Sequence, residues 1–433
     1  FLPELKFKDA IFLPSINTNY FLLFLLNLST DLKLLYIIIF TESIKLFFIL
    51  NDLREHKMII NGFSDSKFYK LRDAYEKNFN EGLDVGSSLG VTYNGEVILN
   101  LWGGFKEEKQ ENLWQENTII NVWSSTKNMA SLCAYILAEK GMLDFYAPVK
   151  KYWPEFSENG KENIKVRTLL SHQAGLYGWK EKIDELDFYR WDYVVDLLAK
   201  QKTFHTPGQK ICYHPKTIGF LVGELIRRVT KQTVGNFLKT NLSDPLNVKC
   251  FIGTPEEYHS NIAELISSES LRKAFSNPEH IDQYMVTAFL NPANRTKTSN
   301  TRDWRLAEIP AMNCHANARS ISKIYDFFMN SINYENGFIS KETFDLVTST
   351  EVKGDDNVMK SPMQWSCTGY SVGGGKLFGE SSHAFGHTGW GGSMAFTDPD
   401  NNLSVAYAMN LLTGSMLGDH RAMKLVELTY ECL

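Results

Sequence analysis

The sequence lacks the features that define several large classes of protein. Its 6 cysteines are scattered without a C-x-x-C pair, which argues against a disulfide framework or zinc cage and favours a reducing compartment. It holds no dense basic run, and 45 Lys and Arg stand against 50 Asp and Glu, so nucleic acid is not an expected partner. With 433 residues, 43% hydrophobic and 22% charged, the composition is globular. A cytoplasmic or organellar location is favoured, although the compartment itself stays open.

Metal-binding motifs are also missing. There is no H-x-x-E-H or H-E-x-x-H run, so a metallohydrolase has little support. His383 and His387 are four residues apart, but that spacing suits a shared metal only on a helix, and this stretch resembles loop and strand. We therefore predict no metal and no other cofactor. His172 and His315 are interpreted as structural hydrogen-bonding residues.

The first part of the chain differs from the rest. The apolar runs Tyr20–Leu28 and Leu34–Phe40 are shorter than the roughly 20 residues that a membrane helix needs, and charged residues interrupt what would be a single span. A signal peptide is not evident. We predict that residues 1–63 are a hydrophobic N-terminal extension of uncertain structure and that 64–433 form the folded domain. A hairpin anchor in a bilayer stays open as an alternative, so membrane association would come through this extension alone.

Residues after the extension alternate between helical and strand patterns. Ser66–Asn80 carries apolar residues at helical spacing, and Leu89–Tyr93 and Glu96–Trp102 flank Asn94-Gly95, a strong hairpin signal. Helical patterns then dominate from about Ser124 to about Phe328.

Strand patterns return near the end of the chain. Gly389–Thr397 and Leu403–Asn410 flank a turn, and a last helix is predicted from Gly418 to Tyr430. Strands at both ends with helices between them predict an α+β fold. In this fold an antiparallel sheet, built from both chain ends, is flanked by helices, and a mostly helical region is inserted in the middle.

The pattern Ser-x-x-Lys occurs four times, and only its context at Ser124–Lys127 suggests chemistry. Ser124 follows an apolar stretch and opens a predicted helix that Gly141 would close. Residues three apart share a helix face, so Lys127 would stand beside the Ser124 hydroxyl, and burial would lower the pKa of this lysine toward that of a base. The alternative stays open, because Ser is a common N-cap and Lys is ordinary at a helix start.

A second candidate nucleophile is rejected. Gly86-Ser87-Ser88-Leu89-Gly90 fits G-x-S-x-G, the nucleophile elbow of α/β-hydrolases. That elbow needs a strand before it and a helix after it, whereas here the motif runs into the predicted hairpin.

Two further motifs follow Ser124 in an order typical of one family. They are Cys212–Arg228, which contains Tyr213, and Phe385–Ser393, which contains His387-Thr388-Gly389-Trp390. Together with Ser124-x-x-Lys127 they resemble the serine β-lactamase-related family, and most of all its class C-like branch. That branch includes family VIII carboxylesterases and animal β-lactamase domain-containing proteins. The resemblance covers about Phe68 to Tyr430 and implies a β-lactamase/transpeptidase-like fold, related to penicillin-binding proteins.

The resemblance also implies roles for individual residues. Ser124 matches the acylated serine and Lys127 its proton acceptor. Tyr213 matches a tyrosine that shares acid/base duty, which requires a neighbouring cation to lower its usual pKa of about 10. His387 begins the third motif. The substrate and oxyanion positions are Thr388, Gly389 and Trp390, with the backbone N–H groups of Ser124 and Trp390 as the two oxyanion donors.

Two departures from the family pattern shape the predicted function. Pro215 stands where the family has an asparagine, and His387 replaces a lysine with a titratable group. Both weaken the case for β-lactam hydrolysis and suit small ester or amide substrates. We predict a cofactor-free serine hydrolase. The alternative is a catalytically weak or inactive protein of the same fold that acts in binding or self-assembly, for example as a homo-oligomer. Five aromatic residues are candidates for a substrate pocket, with burial in the core as the commoner alternative: Trp123, Tyr177, Trp179, Trp365 and Trp390.

Overall fold

The computed structural model describes residues 60–274, 281–331, 339–373 and 377–433. The predicted N-terminal extension therefore lies outside the described residues except at its end. There Ile60–Ser64 forms the first strand, β1, which pairs with the strand at Glu96–Gly104 and begins four residues before the predicted boundary at residue 64. No helix in these four ranges is long and apolar enough to cross a membrane.

Nine strands form one antiparallel sheet, in the order β1-β3-β2-β13-β12-β11-β10-β9-β8. Strands from the two ends of the described domain pair in the middle of this sheet. There β2 and β13 are paired from Tyr93 opposite Leu403 to Ser87 opposite Met409. The predicted sheet from both chain ends is therefore confirmed. The strands of this sheet are β1 (Ile60–Ser64), β2 (Gly86–Tyr93), β3 (Glu96–Gly104), β8 (Thr350–Asp356), β9 (Ser361–Ser366), β10 (Ser371–Val372), β11 (Phe385–Thr388), β12 (Met394–Asp398) and β13 (Leu403–Met409).

Five short strands form two small sheets beside the large one. One is antiparallel with the order β4-β7-β5, and the other is the parallel pair β14-β6. Their bounds are β4 (Ile120–Asn121), β5 (Cys250–Ile252), β6 (Ile266–Ser267), β7 (Cys314–Ala316) and β14 (Leu411–Leu412).

The predicted hairpin is confirmed. Asn94 and Gly95 both have positive φ values, of 51° and 84°, as a tight turn between β2 and β3 requires. The rejected Gly86–Gly90 motif lies inside β2, in the middle of a sheet rather than at an elbow.

The helices cover the sheet and fill the insertion between β3 and β8. Ser87 of β2 bonds Tyr75 of the first helix, and Ser88 bonds the backbone at Ala318, so α1 and α11 lie on opposite faces of the sheet. The helices are α1 (Tyr69–Asn80), α2 (Thr126–Glu139), α3 (Val166–Leu170), α4 (Trp191–Lys200), α5 (Thr217–Thr230), α6 (Val234–Leu238), α7 (Glu269–Ala274), α8 (Gln283–Phe289), α9 (Thr296–Ser299), α10 (Arg302–Leu306), α11 (Ala318–Asn330), α12 (Lys341–Thr348) and α13 (His420–Glu431).

Two predicted boundaries near the site are wrong. The helix after Ser124 begins at Thr126, because residues Trp123–Ser125 form a separate 3₁₀ turn; its end is as expected, with Gly141 at φ 66° just beyond. The single strand predicted for Gly389–Thr397 is β12 alone. Residues 389–393 form a turn between β11 and β12, because Gly391 and Gly392 adopt φ values of 82° and 134° that a strand cannot contain.

Candidate active site

Ser124 lies in the 3₁₀ turn between β4 and α2, where the backbone is strained. The residue before it, Trp123, has φ of 47°, which a bulky side chain rarely adopts. Such a conformation costs about 1–3 kcal/mol and persists only where the surroundings enforce it. Here the indole of Trp123 packs against Trp304 and Trp390, with ring centroids 5.9 and 4.8 Å away. The packing therefore holds the turn that presents the Ser124 hydroxyl.

The structure places Lys127 directly beside this hydroxyl. Lys127 Nζ lies 2.9 Å from Ser124 Oγ, 2.7 Å from the carbonyl oxygen of Pro215 and 3.0 Å from that of Ala311. Carbonyl oxygens can only accept hydrogen bonds. Two N–H groups of the amine are thus directed to the two carbonyls, and the third position on nitrogen faces Ser124.

Burial lowers the pKa of Lys127 well below its usual value of about 10.4, as predicted. A neutral amine has two N–H groups and one lone pair. In the neutral amine the two carbonyls take both N–H groups, and the lone pair then points at the Ser124 O–H. In that state the amine can accept the serine proton.

The phenol of Tyr213 approaches Ser124 from another element. Its oxygen lies 3.0 Å from Ser124 Oγ and 3.4 Å from His387 Nε2. Its ring stacks on Trp365 with centroids 5.6 Å apart, and its backbone N–H donates to Asp356 Oδ1 at 3.1 Å. Burial raises the pKa of Tyr213, where the sequence predicted a lowering, since no cation next to it outweighs desolvation. Tyr213 is therefore a protonated phenol at neutral pH.

His387 lies on β11 and is neutral. Its Nδ1 is 2.6 Å from the carbonyl oxygen of Thr388, which can only accept, so the proton is on Nδ1 and Nε2 presents a lone pair to Tyr213. Burial is the main cause that lowers the pKa of His387 to about 3, and Lys127 adds to this lowering whenever its amine is protonated. The position that carries a lysine in the family pattern thus holds no positive charge here at neutral pH.

The remaining predicted positions form the edge of the site. Thr388 and Trp390 line the same cavity as Ser124, whereas Gly389 lies behind it. A side chain at Gly389 would place a Cβ 2.0 Å from Ser393 Oγ and 2.4 Å from the carbonyl oxygen of Val122. Glycine at this position lets the 389–393 turn pack against the strand end that precedes Ser124, where Ser393 Oγ donates to Val122.

The hydroxyl of Ser124 opens into a cavity of about 580 Å³. Among its described lining residues Arg272 alone carries a permanent charge, and most of the others are apolar, five of them methionines. Of the five aromatic residues predicted as pocket candidates, Trp123, Trp365 and Trp390 line the cavity and Tyr177 and Trp179 do not. The apolar lining residues include Leu271, Ile281, Met285, Phe289, Leu290, Ala293, Met312, Met359, Met363, Met416 and Leu417.

Sequence reasoning missed the groups that orient the predicted residues. The carbonyls of Pro215 and Ala311 have no sequence signal, because every residue carries one. Asp356, which also accepts from the backbone N–H groups of Val358 and Met359, stands in a charged stretch that resembles a solvated loop. Only its burial distinguishes Asp356 from other acidic residues, and burial depends on the fold rather than on the local sequence.

His172 and His315 form the kind of hydrogen bonds that were predicted for them. His172 Nδ1 accepts the backbone N–H of His214 at 3.1 Å, and His315 Nδ1 lies 2.9 Å from Thr254 Oγ1; both rings are buried. His383 is exposed and pairs with Asp400. Within the described ranges, no group of three or more His, Cys, Asp or Glu side chains could hold a metal ion.

Comparison with known proteins shows which family and which solved structures this chain is similar to. A family model described as Beta-lactamase matches residues 75–428. The Esterase/beta-lactamase LipL of Mycobacterium tuberculosis is 28% identical over 374 residues, covering 83% of this chain and 85% of that protein. The structure of a family VIII carboxylesterase superposes with a TM-score of 0.81 at 35% identity, over 87% of this chain and 100% of that one. A penicillin-binding protein homolog from Caulobacter crescentus also gives 0.81, at 31% identity with the same coverage.

Proposed function

The chain belongs to the beta-lactamase family, and from this premise we propose that it hydrolyses carboxylic esters or small amides through an acyl-enzyme on Ser124. One observation carries the proposal. The Ser124 hydroxyl lies 2.9 Å from a buried amine and 3.0 Å from a protonated phenol, at the mouth of an apolar cavity. A nucleophile, a base and an acid within hydrogen-bond reach are what acyl transfer requires.

In the acylation step the neutral amine of Lys127 takes the proton of Ser124, and Oγ attacks the carbonyl carbon of the substrate. The backbone N–H groups of Ser124 and Trp390 are the proposed donors to the developing oxyanion. The bond to the leaving group then breaks, and Tyr213 donates its proton to the departing oxygen or nitrogen. The tyrosinate that remains is stabilised by the new ammonium of Lys127, whose Nζ lies 5.0 Å from the centre of the Tyr213 ring.

Deacylation reverses these roles. Water attacks the acyl carbon and gives its proton to the Tyr213 oxygen, while the ammonium of Lys127 returns its proton to Ser124 Oγ as the acyl bond breaks. After one turnover all three side chains regain their starting protonation, so no cofactor or external acid is consumed.

The electrostatics of the site support neutral esters over β-lactam antibiotics. A β-lactam drug carries a carboxylate, but His387 is neutral and Pro215 offers no side-chain amide near the site. Apart from the guanidinium of Arg272, the described lining of the cavity carries no permanent charge and is mostly apolar, which suits a substrate without charge. The family VIII carboxylesterase agrees with this preference, whereas the name of the relative LipL includes both esterase and beta-lactamase.

Covalent labelling tests the proposal. We expect a fluorophosphonate probe to modify the wild-type protein, and the modified peptide to contain Ser124. Ser124→Ala should abolish both labelling and ester turnover. Ser64→Ala is the matched control, because Ser64 begins another Ser-x-x-Lys copy at the end of β1. Turnover that survives in folded Ser124→Ala protein would exclude the proposed mechanism.

A further inference from the structure

Another buried lysine, Lys216, lies in the segment that supplies Tyr213 and the Pro215 carbonyl, and it takes no part in the proposed chemistry. Lys216 follows Pro215 directly and has 1% of its surface exposed. Its Nζ donates to the carbonyl oxygen of Phe289 at 2.7 Å and to that of Pro292. No described carboxylate forms an ion pair with it within the distance of a salt bridge. Burying an amine costs free energy unless hydrogen bonds compensate for the lost water. The two hydrogen bonds of Lys216 therefore require a structural explanation.

Both acceptors of Lys216 belong to one wall of the cavity. This wall consists of the end of α8 and the residues after it, and Met285, Phe289, Leu290, Ala293 and Asn294 line the cavity from it. The hydrogen bond to the carbonyl of Pro292 is buried, and the one to the carbonyl of Phe289 is partly buried. Lys216 therefore ties the wall to the loop that also supplies Tyr213 and the Pro215 carbonyl.

We propose that Lys216 is a positioning residue that holds the wall Met285–Asn294 as one side of an acyl-chain site, and that it thereby sets the length of acyl chain the enzyme accepts. This inference rests on the proposed ester hydrolysis. It adds to that function a substrate class, esters of apolar carboxylic acids, and a residue that selects among them.

The chemistry of the two half-reactions assigns the cavity to the acyl group. The alcohol must leave for solvent after acylation, and water must then enter, so the leaving group needs an open path. The acyl group stays bound to Ser124 through both steps and can occupy the apolar cavity beside it. The apolar surface continues outward at Val286, Leu290 and Met416, which are 36%, 40% and 36% exposed, and this rim suits the end of a longer chain.

The wall is expected to persist across neutral pH. Burial lowers the pKa of Lys216 to about 7, with Glu185 acting weakly in the opposite direction. A neutral amine still has two N–H groups, one for each carbonyl. Deprotonation therefore leaves both hydrogen bonds in place.

The test uses p-nitrophenyl esters from acetate to octanoate. In the wild-type enzyme kcat/KM should rise by up to about fourfold per added methylene until the cavity is filled. Lys216→Met should lower kcat/KM for hexanoate and octanoate by about tenfold or more, chiefly through KM, and for acetate by less than about threefold. Lys161→Met is the matched control, because Lys161 is equally buried, donates to the carbonyls of Glu158 and Gln201, and lies outside the cavity lining. Its chain-length profile should equal that of the wild type.

A second variant keeps the inference falsifiable if Lys216→Met does not fold. Met285→Trp fills the cavity from the same wall and should shift the preference toward acetate. If acetate is hydrolysed but the profile is unaltered in either folded variant, the inference on Lys216 and its wall is wrong while the proposed function stands. If no ester of the series is hydrolysed by the wild type, the proposed function itself fails and the inference falls with it.

Discussion

Replacing Tyr213 by phenylalanine removes one oxygen atom and leaves the ring in place. The stack on Trp365 and the backbone bond to Asp356 do not depend on that oxygen. The lost interactions are the contacts of the hydroxyl with Ser124 Oγ at 3.0 Å and His387 Nε2 at 3.4 Å. We expect the variant to fold, with a stability change within about 1 kcal/mol, the usual value of one such hydrogen bond.

The magnitude of the kinetic effect depends on the leaving group. Because burial keeps Tyr213 protonated, its proposed role in acylation is to donate a proton, and such a donation is worth about 10²–10⁴-fold in rate. An ethyl ester expels a strongly basic alkoxide that needs this proton, whereas p-nitrophenolate leaves without one. Tyr213→Phe should therefore lower kcat/KM for an ethyl ester by about 10²–10⁴-fold and for the p-nitrophenyl ester of the same acid by less than about tenfold.

The assay compares the two esters in the wild type, in Tyr213→Phe and in Tyr177→Phe. Tyr177 is also a buried tyrosine but lies outside the cavity lining, so its variant should match the wild type. The parameter kcat/KM reports the steps up to release of the alcohol, which isolates acylation. An equal loss for both esters in Tyr213→Phe would refute proton donation by Tyr213 and leave it a positioning role.

Three further predictions follow from the charges of the site and its support. If Lys127 is the base, it must be neutral, so kcat/KM should rise with pH through its lowered pKa and then level off. His387 should add no inflection between pH 5 and 9, since its pKa is about 3. A fall in kcat/KM from pH 5 to 8 would contradict this. His387→Lys should raise kcat/KM for a chromogenic cephalosporin about tenfold relative to a neutral ester, because it adds one charge-assisted bond to the carboxylate; an unchanged ratio would count against it. Arg421→Met should destabilise the protein by about 3–5 kcal/mol in denaturant unfolding, because it leaves the buried carboxylates of Asp84 and Asp419 unpaired. Lys424→Met, which breaks an exposed pair, is the control and should leave the unfolding midpoint almost unchanged.

Local sequence patterns predicted those elements that depend on neighbouring residues. The Asn94-Gly95 hairpin is confirmed because its turn needs two positive φ values, which these residue types allow. The helix after Ser124 is confirmed in its body and C-terminal end, where periodicity and Gly141 act over a few residues. Strand β8 was not predicted, since Thr350–Asp356 carries four charged residues and lies at the edge of the sheet, where burial does not select an alternating pattern.

The motif order in the sequence was sufficient to select Ser124, Lys127, Tyr213 and His387, which lie apart in the chain and together in the structure. Only the tertiary structure decided their protonation states and orientation. Burial lowers the pKa of Lys127 and His387 and raises that of Tyr213, and burial is a property of the whole packed domain. Likewise the carbonyls of Pro215 and Ala311 turn the amine toward Ser124, although nothing in their residue types distinguishes them from any other backbone group. The residue type determines the intrinsic chemistry of each side chain. Desolvation and these backbone hydrogen bonds arise only when distant segments of the chain pack together.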